Sequence, residues 1–253
     1  MLTLECEIYG RIFEARRRRK IVHCRECAER LRKEGRGPIQ QKSKGEHVPA
    51  IQALDWSKAG EYVLYYLKRF GRSSKYDGVN PDKIDEITDQ DRTLANQIAA
   101  RIGEKVWHPL VHKPITEIGR WDLLCMSDLD WQARRSVIRS KLAVLLGCPG
   151  IGVARLTKAL HRKRPDLIPI CDRVLCKALT ILQHNKADKI IECMEKLRQV
   201  GQRNLDALSK LRELTRNKGT ELTELRILEI LHWVEFGPFR PDEKALKQYL
   251  RNK

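Results

Sequence analysis

Apolar residues recur at helical spacing along most of the chain after residue 50. Leu64, Leu67 and Phe70 share one face of a helix predicted over residues 56–70, and Gly71 stands where a C-cap glycine belongs. This pattern is typical of an amphipathic helix that packs one face against a core.

Further helices begin with capping signals or continue the same spacing. Thr88 with Asp91 and Ser127 with Asp130 have the spacing of capping boxes, and the second pair precedes a helix predicted over residues 129–146. We find no alternating strand pattern and no internal repeat. Helical spacing also predicts helices over residues 173–182, 189–200, 205–215 and 221–236, and from residue 242 onward. The sequence therefore predicts an all-α, multi-helix fold.

Composition divides the chain into three parts. Residues 1–36 form a basic, cysteine-bearing unit, residues 37–49 a predicted linker, and residues 50–253 the helical domain. A chain of 253 residues can bury a core without disulfides or a metal.

Positive charge is concentrated in two segments. The net charge is +17; residues 1–44 contain 13 Lys or Arg against 6 Asp or Glu, and residues 134–177 contain 11 against 2. Clustered cations favour a polyanion, because each cation that pairs with a phosphate releases condensed counterions. The alternative to polyanion binding is that the two basic segments are surfaces that only face solvent. No basic helix offers a broad apolar face, so we expect no membrane partner.

The eight cysteines indicate a reducing compartment. Three lie within the first 27 residues, and the others are scattered through apolar contexts. No signal-peptide core and no run of 18 apolar residues occurs. We therefore expect a cytoplasmic protein, associated with the nucleoid if the source is bacterial.

A short connection between two predicted helices carries the main functional signal. Residues 147–152, here called the hairpin corner, read Gly-Cys-Pro-Gly-Ile-Gly, a composition that permits a tight turn with Ile151 as a plug. Amides at the start of the following helix would point outward, where the helix dipole favours a phosphate. The predicted DNA contacts here are Pro149, Gly150, Ile151, Gly152 and Ala154.

The helix after the corner carries a basic stripe. Arg155, Lys158 and Arg162 recur at helical spacing, and Lys163 and Arg164 extend them. We expect this stripe to face solvent and contact phosphates. An ordinary helix–helix corner with a solvated outer face is the alternative.

These motifs resemble a known superfamily. Leu-Leu-Gly-Cys-Pro-Gly-Ile-Gly at residues 145–152, followed by Leu-Ile-Pro-Ile-Cys-Asp at residues 167–172, is similar to the helix-hairpin-helix DNA glycosylases of the endonuclease III type. Asp172 follows Gly152 by 20 positions, as the catalytic aspartate does in that superfamily. Residues 156–172 and 225–234 also resemble an uncharacterised bacterial family with this hairpin, which brings no established activity.

The resemblance implies a monofunctional enzyme. Ala154 stands where bifunctional members carry a Schiff-base lysine, and the four-cysteine iron–sulfur loop of some members is absent, so no such cluster is expected. Asp172 would position water and offset the positive charge on the sugar as the base departs. A helix N-cap is its alternative role, because it directly precedes a predicted helix. Candidates for stacking on the base are Trp107, Trp121, Trp131 and Tyr65.

The N-terminal cysteines resemble a zinc ribbon that lacks one ligand. Cys6, Cys24 and Cys27 have ribbon spacing, but Tyr9 stands where the second cysteine belongs. His23 is the nearest substitute ligand, although its neighbour Cys24 makes simultaneous ligation awkward. Zinc binding, a decayed ribbon and a chance cluster stay open. The loop between the cysteines would present Arg16, Arg17, Arg18, Arg19 and Lys20 to phosphates.

Three functions are compatible with these features. The first is a monofunctional DNA N-glycosylase in base-excision repair that holds duplex DNA at the hairpin corner. The second is a non-catalytic DNA-binding module on the same scaffold. The third is an RNA-binding protein, since phosphate contacts do not distinguish the two polymers.

Overall fold

The computed structural model describes most of the chain after residue 53. The described residues are 2–5, 12–15, 54–70, 76–77, 80–238 and 240–251, with the backbone alone at 2–5, 12–15 and 249–251. The chain divides into two units, residues 1–48 and residues 49–253. The predicted zinc ligands Cys6, His23, Cys24 and Cys27 lie outside the described residues, as does the basic run from Arg16 to Lys20.

The first unit contains two short strands that the sequence pattern did not predict. Strand β1 (Leu2–Glu5) pairs antiparallel with β2 (Ile12–Ala15), with Leu2 opposite Ala15. Each strand has four residues, which is too short for apolar–polar alternation to stand out from chance. These strands lie in the first unit, outside residues 50–253, for which the all-α domain was predicted.

The described part of the second unit is helical, which confirms the all-α prediction there. Three single-turn 3₁₀ helices, at Trp56–Lys58, His108–Leu110 and Thr116–Ile118, link longer elements. The α-helices are α1 (Ala59–Arg69), α2 (Asp89–Gln97), α3 (Glu104–Trp107), α4 (Asp128–Leu146), α5 (Val153–Lys163), α6 (Arg173–Ala178), α7 (Lys186–Gln202), α8 (Leu205–Arg216), α9 (Glu224–Phe236) and α10 (Glu243–Arg251). In the part of the chain that the structure describes, no helix has the length and apolar character needed to cross a bilayer.

Both predicted capping boxes mark helix starts. At α2 the side chains of Thr88 and Asp91 cap each other's backbone, and at α4 the Ser127 hydroxyl accepts a hydrogen bond from the Asp130 amide at 3.1 Å. Some helix ends differ from the prediction. For example, α6 stops at Ala178 instead of residue 182, and Thr180 then takes a left-handed φ of 53°.

Helix α9 lies at the centre of the second unit and contacts α1, α6, α7 and α8. Its buried residues lie on every side of the helix, which is why apolar residues outnumber polar ones in its sequence. Three charged residues on this helix are also buried, among them Arg226 and Glu229 at 6% and 3% exposure. Buried charges need partners, and these two organise the site described below.

A buried ion pair joins α5 to α2. Lys163 and Asp91 are each 1% exposed, and Lys163 Nζ lies 3.2 Å from Asp91 Oδ2. The same ammonium donates to the carbonyls of Asp82 and Lys83. The sequence predicted Lys163 as a DNA contact; it is instead an internal cation that holds two helices and a loop together.

We expect Lys163→Met to lower the free energy of unfolding by about 3 kcal/mol, because it leaves the Asp91 carboxylate buried without its cation. Urea denaturation measures this difference. The matched control is Lys218→Met at an exposed lysine after α8, which should change stability by less than about 0.5 kcal/mol. Equal effects of the two substitutions would show that the ion pair contributes nothing specific.

Candidate functional site

The hairpin corner is a tight connection at the surface. Helix α4 ends at Leu146 and α5 begins at Val153, with Gly150 at a φ of +80° that favours glycine. Pro149 and Gly150 are exposed, whereas Ile151 is 1% exposed and packs into the core. The predicted turn and its apolar plug are confirmed.

Two cations flank this corner. Arg155 Nη1 donates to the Gly150 carbonyl at 2.7 Å, and Lys186 Nζ, from the start of α7, donates to the Ile151 carbonyl at 3.2 Å. Gly152, the N-cap of α5, has no side chain to accept hydrogen bonds from the first-turn amides. The corner therefore combines first-turn amides that receive no side-chain cap with two nearby cations.

The predicted basic stripe on α5 is wrong as an outward-facing surface. Arg162 and Arg164 are 8% and 2% exposed. The Arg162 guanidinium lies 5.3 Å from the centre of the Tyr76 ring, and Arg164 Nη2 binds Asp85 Oδ1 at 2.7 Å. Together with Lys163, these side chains are directed into the protein, so they are not available to phosphates.

The first two cations of the stripe bind a strained loop after α2. Arg155 Nε donates to the Ala100 carbonyl at 3.3 Å, and Lys158 Nζ donates to the Ile98 carbonyl at 2.6 Å. Ala99 in this loop has a φ of +60°, a left-handed conformation that costs free energy for an alanine. The loop is thus held by α5 and contributes to a cavity beside it.

A cavity of about 450 Å³ lies between α1, the loop after α2, α5, α6 and α9. This volume falls in the range of small-molecule sites. Its lining includes Tyr66, Phe70, Lys158, Asp172, Arg226 and Trp233. The fold therefore brings the predicted catalytic residue, Asp172, to the wall of a half-open cavity.

Asp172 is both a cavity residue and a helix cap. Its Oδ1 accepts a hydrogen bond from the Leu175 amide at 2.9 Å, as the N-cap of α6. No described residue donates to its Oδ2. The structural role is confirmed, and the cap holds the half-buried carboxylate in one orientation at the cavity wall.

Lys158 is the one lysine among the described residues that line the cavity. The Tyr76 hydroxyl donates to its backbone carbonyl, which ties this turn of α5 to residue 76. Burial lowers the pKa of the Lys158 ammonium, the Asp172 charge opposes that shift, and the Arg226 charge adds to it. The structure therefore moves Lys158 from the predicted phosphate stripe to the cavity.

The polar floor of the cavity is a buried network around Arg226. Its guanidinium donates to Asp77 Oδ1 at 3.2 Å, to Glu229 Oε2 at 2.9 Å and to the Tyr66 hydroxyl at 2.9 Å. Glu229 Oε1 also accepts from the Ile170 amide at 2.8 Å, two residues before Asp172. The network links α1 and α9 to the segment that carries the candidate catalytic carboxylate.

The pKa of the Glu229 carboxyl group is raised within this network. Burial raises its pKa to about 7, and the Arg226 charge and hydrogen bonds to the carboxylate lower it by less. His161 Nδ1 lies 3.7 Å from Glu229 Oε1, but burial lowers the pKa of that imidazole well below its usual value. His161 is thus neutral near pH 7, and the cation that pairs with Glu229 is Arg226.

Three aromatic side chains form one wall of the cavity. The Tyr66 and Phe70 ring centres are 5.4 Å apart, and the Trp233 ring meets each of them nearly edge-on, with centres 5.9 and 5.1 Å away. A planar ring entering the cavity would meet these side chains.

The sequence selected other aromatic residues for stacking. Trp107 and Trp131 are fully buried in the core, Tyr65 is also buried, and Trp121 packs under the Arg134 guanidinium at 4.2 Å. A signal for residues that line the cavity existed on α9. Arg226, Glu229 and Trp233 recur at spacings of three and four, which places them on one face of the helix.

Residues 113–236 match a protein family of unknown function, DUF6308. The matched segment runs from before α4 to the end of α9 and includes the hairpin corner, Lys158, Asp172, Arg226 and Trp233. No curated protein and no solved structure matches the chain. Among the side chains that the structure describes, no group of three or more His, Cys, Asp or Glu is placed to hold a metal ion.

The raised pKa of Glu229 predicts a pH-dependent stability that Glu229→Gln removes. Between about pH 4.5 and 7 the folded protein keeps a proton that the unfolded chain has released. This contribution to stability is therefore complete below about pH 4.5 and is lost as pH rises to about 7. We expect the free energy of unfolding of the wild type minus that of the variant to fall by up to about 3 kcal/mol over this interval.

Urea denaturation of both proteins at several pH values measures this difference, and contributions from the buried histidines cancel because both proteins contain them. A difference that stays level or increases with pH would contradict the assignment of the shift to Glu229.

Proposed function

We propose that this protein binds duplex DNA and removes a base from it by hydrolysis of the N-glycosidic bond. The observation that carries the proposal is the position of Asp172, whose oriented carboxylate lies at the wall of a cavity that also presents Tyr66, Phe70 and Trp233. An enzyme that acts on the glycosidic bond has to take the nucleotide out of the base stack, and a flipped base needs an enclosed site with aromatic surface.

Asp172 has the chemistry that this reaction requires. As the base departs, positive charge develops on the sugar, and a carboxylate fixed beside it stabilises that charge. The same carboxylate can accept a proton from the water that attacks C1′. Its N-cap hydrogen bond uses Oδ1, which leaves Oδ2 to face the reacting sugar.

The hairpin corner would hold the DNA backbone beside the cavity. The start of α5 presents amides to a phosphate, and Lys186 and Arg155 add positive charge next to them. These contacts are independent of sequence and position the duplex without reading bases. Arg162, Lys163 and Arg164 have no part in this surface, since they are buried.

A non-catalytic DNA- or RNA-binding module is the second candidate. The observation that favours it is the hydrogen bond from the Leu175 amide to Asp172, because capping α6 is by itself a sufficient reason for an aspartate at this position. Zinc in the N-terminal unit would be compatible with either function.

Asp172→Asn separates the two functions, because asparagine also caps helices but cannot act as a base or offset positive charge. We expect the variant to keep its stability and its affinity for duplex DNA while excision falls by about a hundredfold or more. The assay incubates the protein with duplex oligonucleotides that each carry one of a panel of damaged bases and measures base release.

The matched control is Asp242→Asn, at a second aspartate cap whose Oδ1 accepts from the Ala245 amide at 2.6 Å, outside the cavity. It should excise as the wild type does. A wild type inactive on every lesion would leave the non-catalytic binding module. An Asp172→Asn variant that excises as well as the wild type would show that Asp172 is not the catalytic residue.

Lys186→Ala tests the phosphate contact at the corner. We expect the slope of log affinity for duplex DNA against log salt concentration to become less steep by about 0.9, the equivalent of one phosphate. Lys218→Ala, at an exposed lysine outside the site, should leave the slope unchanged. An unaltered slope in Lys186→Ala would argue against the corner as the DNA contact, and stronger competition by duplex RNA than by DNA would favour the RNA-binding alternative.

A further inference from the structure

The charges along the cavity restrict the kind of base that it can take. Among the described residues of its lining, the cationic side chains are Arg69, Lys158 and Arg226, and the carboxylates are Asp172 and Glu229. Because burial raises the pKa of Glu229 to about 7, this carboxyl group is only partly ionised near pH 7. Three cations therefore stand against at most two negative charges, which leaves the described lining with an excess of positive charge.

This excess of positive charge opposes a cationic base. Purines alkylated at a ring nitrogen carry a positive charge while they are attached to the sugar, and aromatic side chains such as Phe70 and Trp233 would by themselves attract them. In a cavity that is partly shielded from water, like charges repel each other more strongly than in bulk solvent. We therefore expect the cavity to favour a neutral base over a cationic one.

Lys158 has hydrogen-bond donors left for a ligand. Its ammonium group has three hydrogens, and the acceptor that contacts it among the described residues is the Ile98 carbonyl, 2.6 Å from Nζ. The Tyr76 hydroxyl donates to the backbone carbonyl of Lys158, so the turn of α5 that carries this side chain is also fixed. Two donors of an oriented ammonium group therefore remain at the cavity wall.

A carbonyl oxygen is the group on a neutral base that these donors recognise. An exocyclic amino group is itself a donor, whereas a carbonyl oxygen accepts a hydrogen bond from an ammonium group. Uracil and oxidised thymine have carbonyl oxygens at both C2 and C4, so either edge of the ring offers an acceptor. Thymine shares both oxygens, but taking it out of a normal base pair costs more than extruding a mismatched or damaged base.

We infer that the cavity takes a neutral, mispaired or damaged pyrimidine with two ring carbonyls, and that Lys158 recognises one of these oxygens. This inference rests on the proposed function, because it names the substrate of the same site. It makes Lys158 a residue that determines specificity and leaves the hydrolysis to Asp172.

Equilibrium binding to duplexes that resist excision tests the inference. The full-length protein is titrated with duplexes that carry one 2′-fluoro nucleotide, whose fluorine disfavours positive charge on the sugar and so prevents loss of the base. The base is uracil in one duplex and cationic 7-methylguanine in the other, each opposite an abasic spacer so that neither is paired. We expect the wild type to bind the uracil duplex about tenfold more tightly, or more.

Substitutions of Lys158 then show whether this side chain causes the preference. Lys158→Met should weaken binding of the uracil duplex by about tenfold or more, because it removes a charged hydrogen bond. Binding of the 7-methylguanine duplex should stay unchanged or become tighter. Lys158→Arg keeps a cationic donor and should retain the preference for uracil. The matched control is Lys218→Met, at an exposed lysine outside the cavity, which should bind both duplexes as the wild type does.

Thermal denaturation checks that Lys158→Met is folded, and the wild-type comparison decides the question if it is not. Equal affinity of the wild type for the two duplexes, or tighter binding of the 7-methylguanine duplex, would overturn the inference. A folded Lys158→Met variant that still prefers uracil as strongly as the wild type would overturn it too.

The result is distinct from that of the excision assay. A wild type that prefers the uracil duplex through Lys158 but excises nothing keeps the inference and overturns base hydrolysis. A wild type that excises a base but binds the 7-methylguanine duplex at least as tightly overturns the inference and keeps the proposed function. A protein that binds neither duplex overturns both.

Discussion

The buried guanidinium of Arg226 is the interaction around which the candidate site is built. Removing an arginine from water is costly, and the cost is offset only when its donors are satisfied by well-placed acceptors. Here the acceptors are Asp77, Glu229 and the Tyr66 hydroxyl, which come from three separate parts of the chain. One charge therefore holds α1 and residue 77 against α9 and sets the floor of the cavity.

The same need for partners applies to the cations of α5. Each finds a carbonyl, carboxylate or aromatic ring within the protein: Lys158 and Arg155 bind the loop after α2, and Lys163 binds Asp91. Charge that sequence reasoning assigned to DNA is used to fix loops that carry strained backbone, such as Ala99 at a φ of +60°. Rigid loops around a cavity are what precise positioning of a substrate requires.

The chemistry of the cavity follows from this arrangement. Asp172 is oriented by the cap of α6 and Lys158 by the Ile98 carbonyl, so a carboxylate and an amine line one cavity. Neither residue owes its orientation to a ligand. The site is preorganised, and preorganised groups avoid the entropy of ordering when a substrate binds.

The sequence by itself determined the local features of this protein. The helices of the second unit, the capping boxes at Thr88 and Ser127, and the corner with Ile151 as its plug follow from periodicity and capping chemistry, which act within a few residues. Only the tertiary structure decided which basic residues of α5 meet solvent and which aromatic residues line the cavity. Those outcomes depend on contacts between distant segments, such as Lys158 with Ile98 and Arg226 with Asp77, and helical spacing alone does not say what a given face packs against.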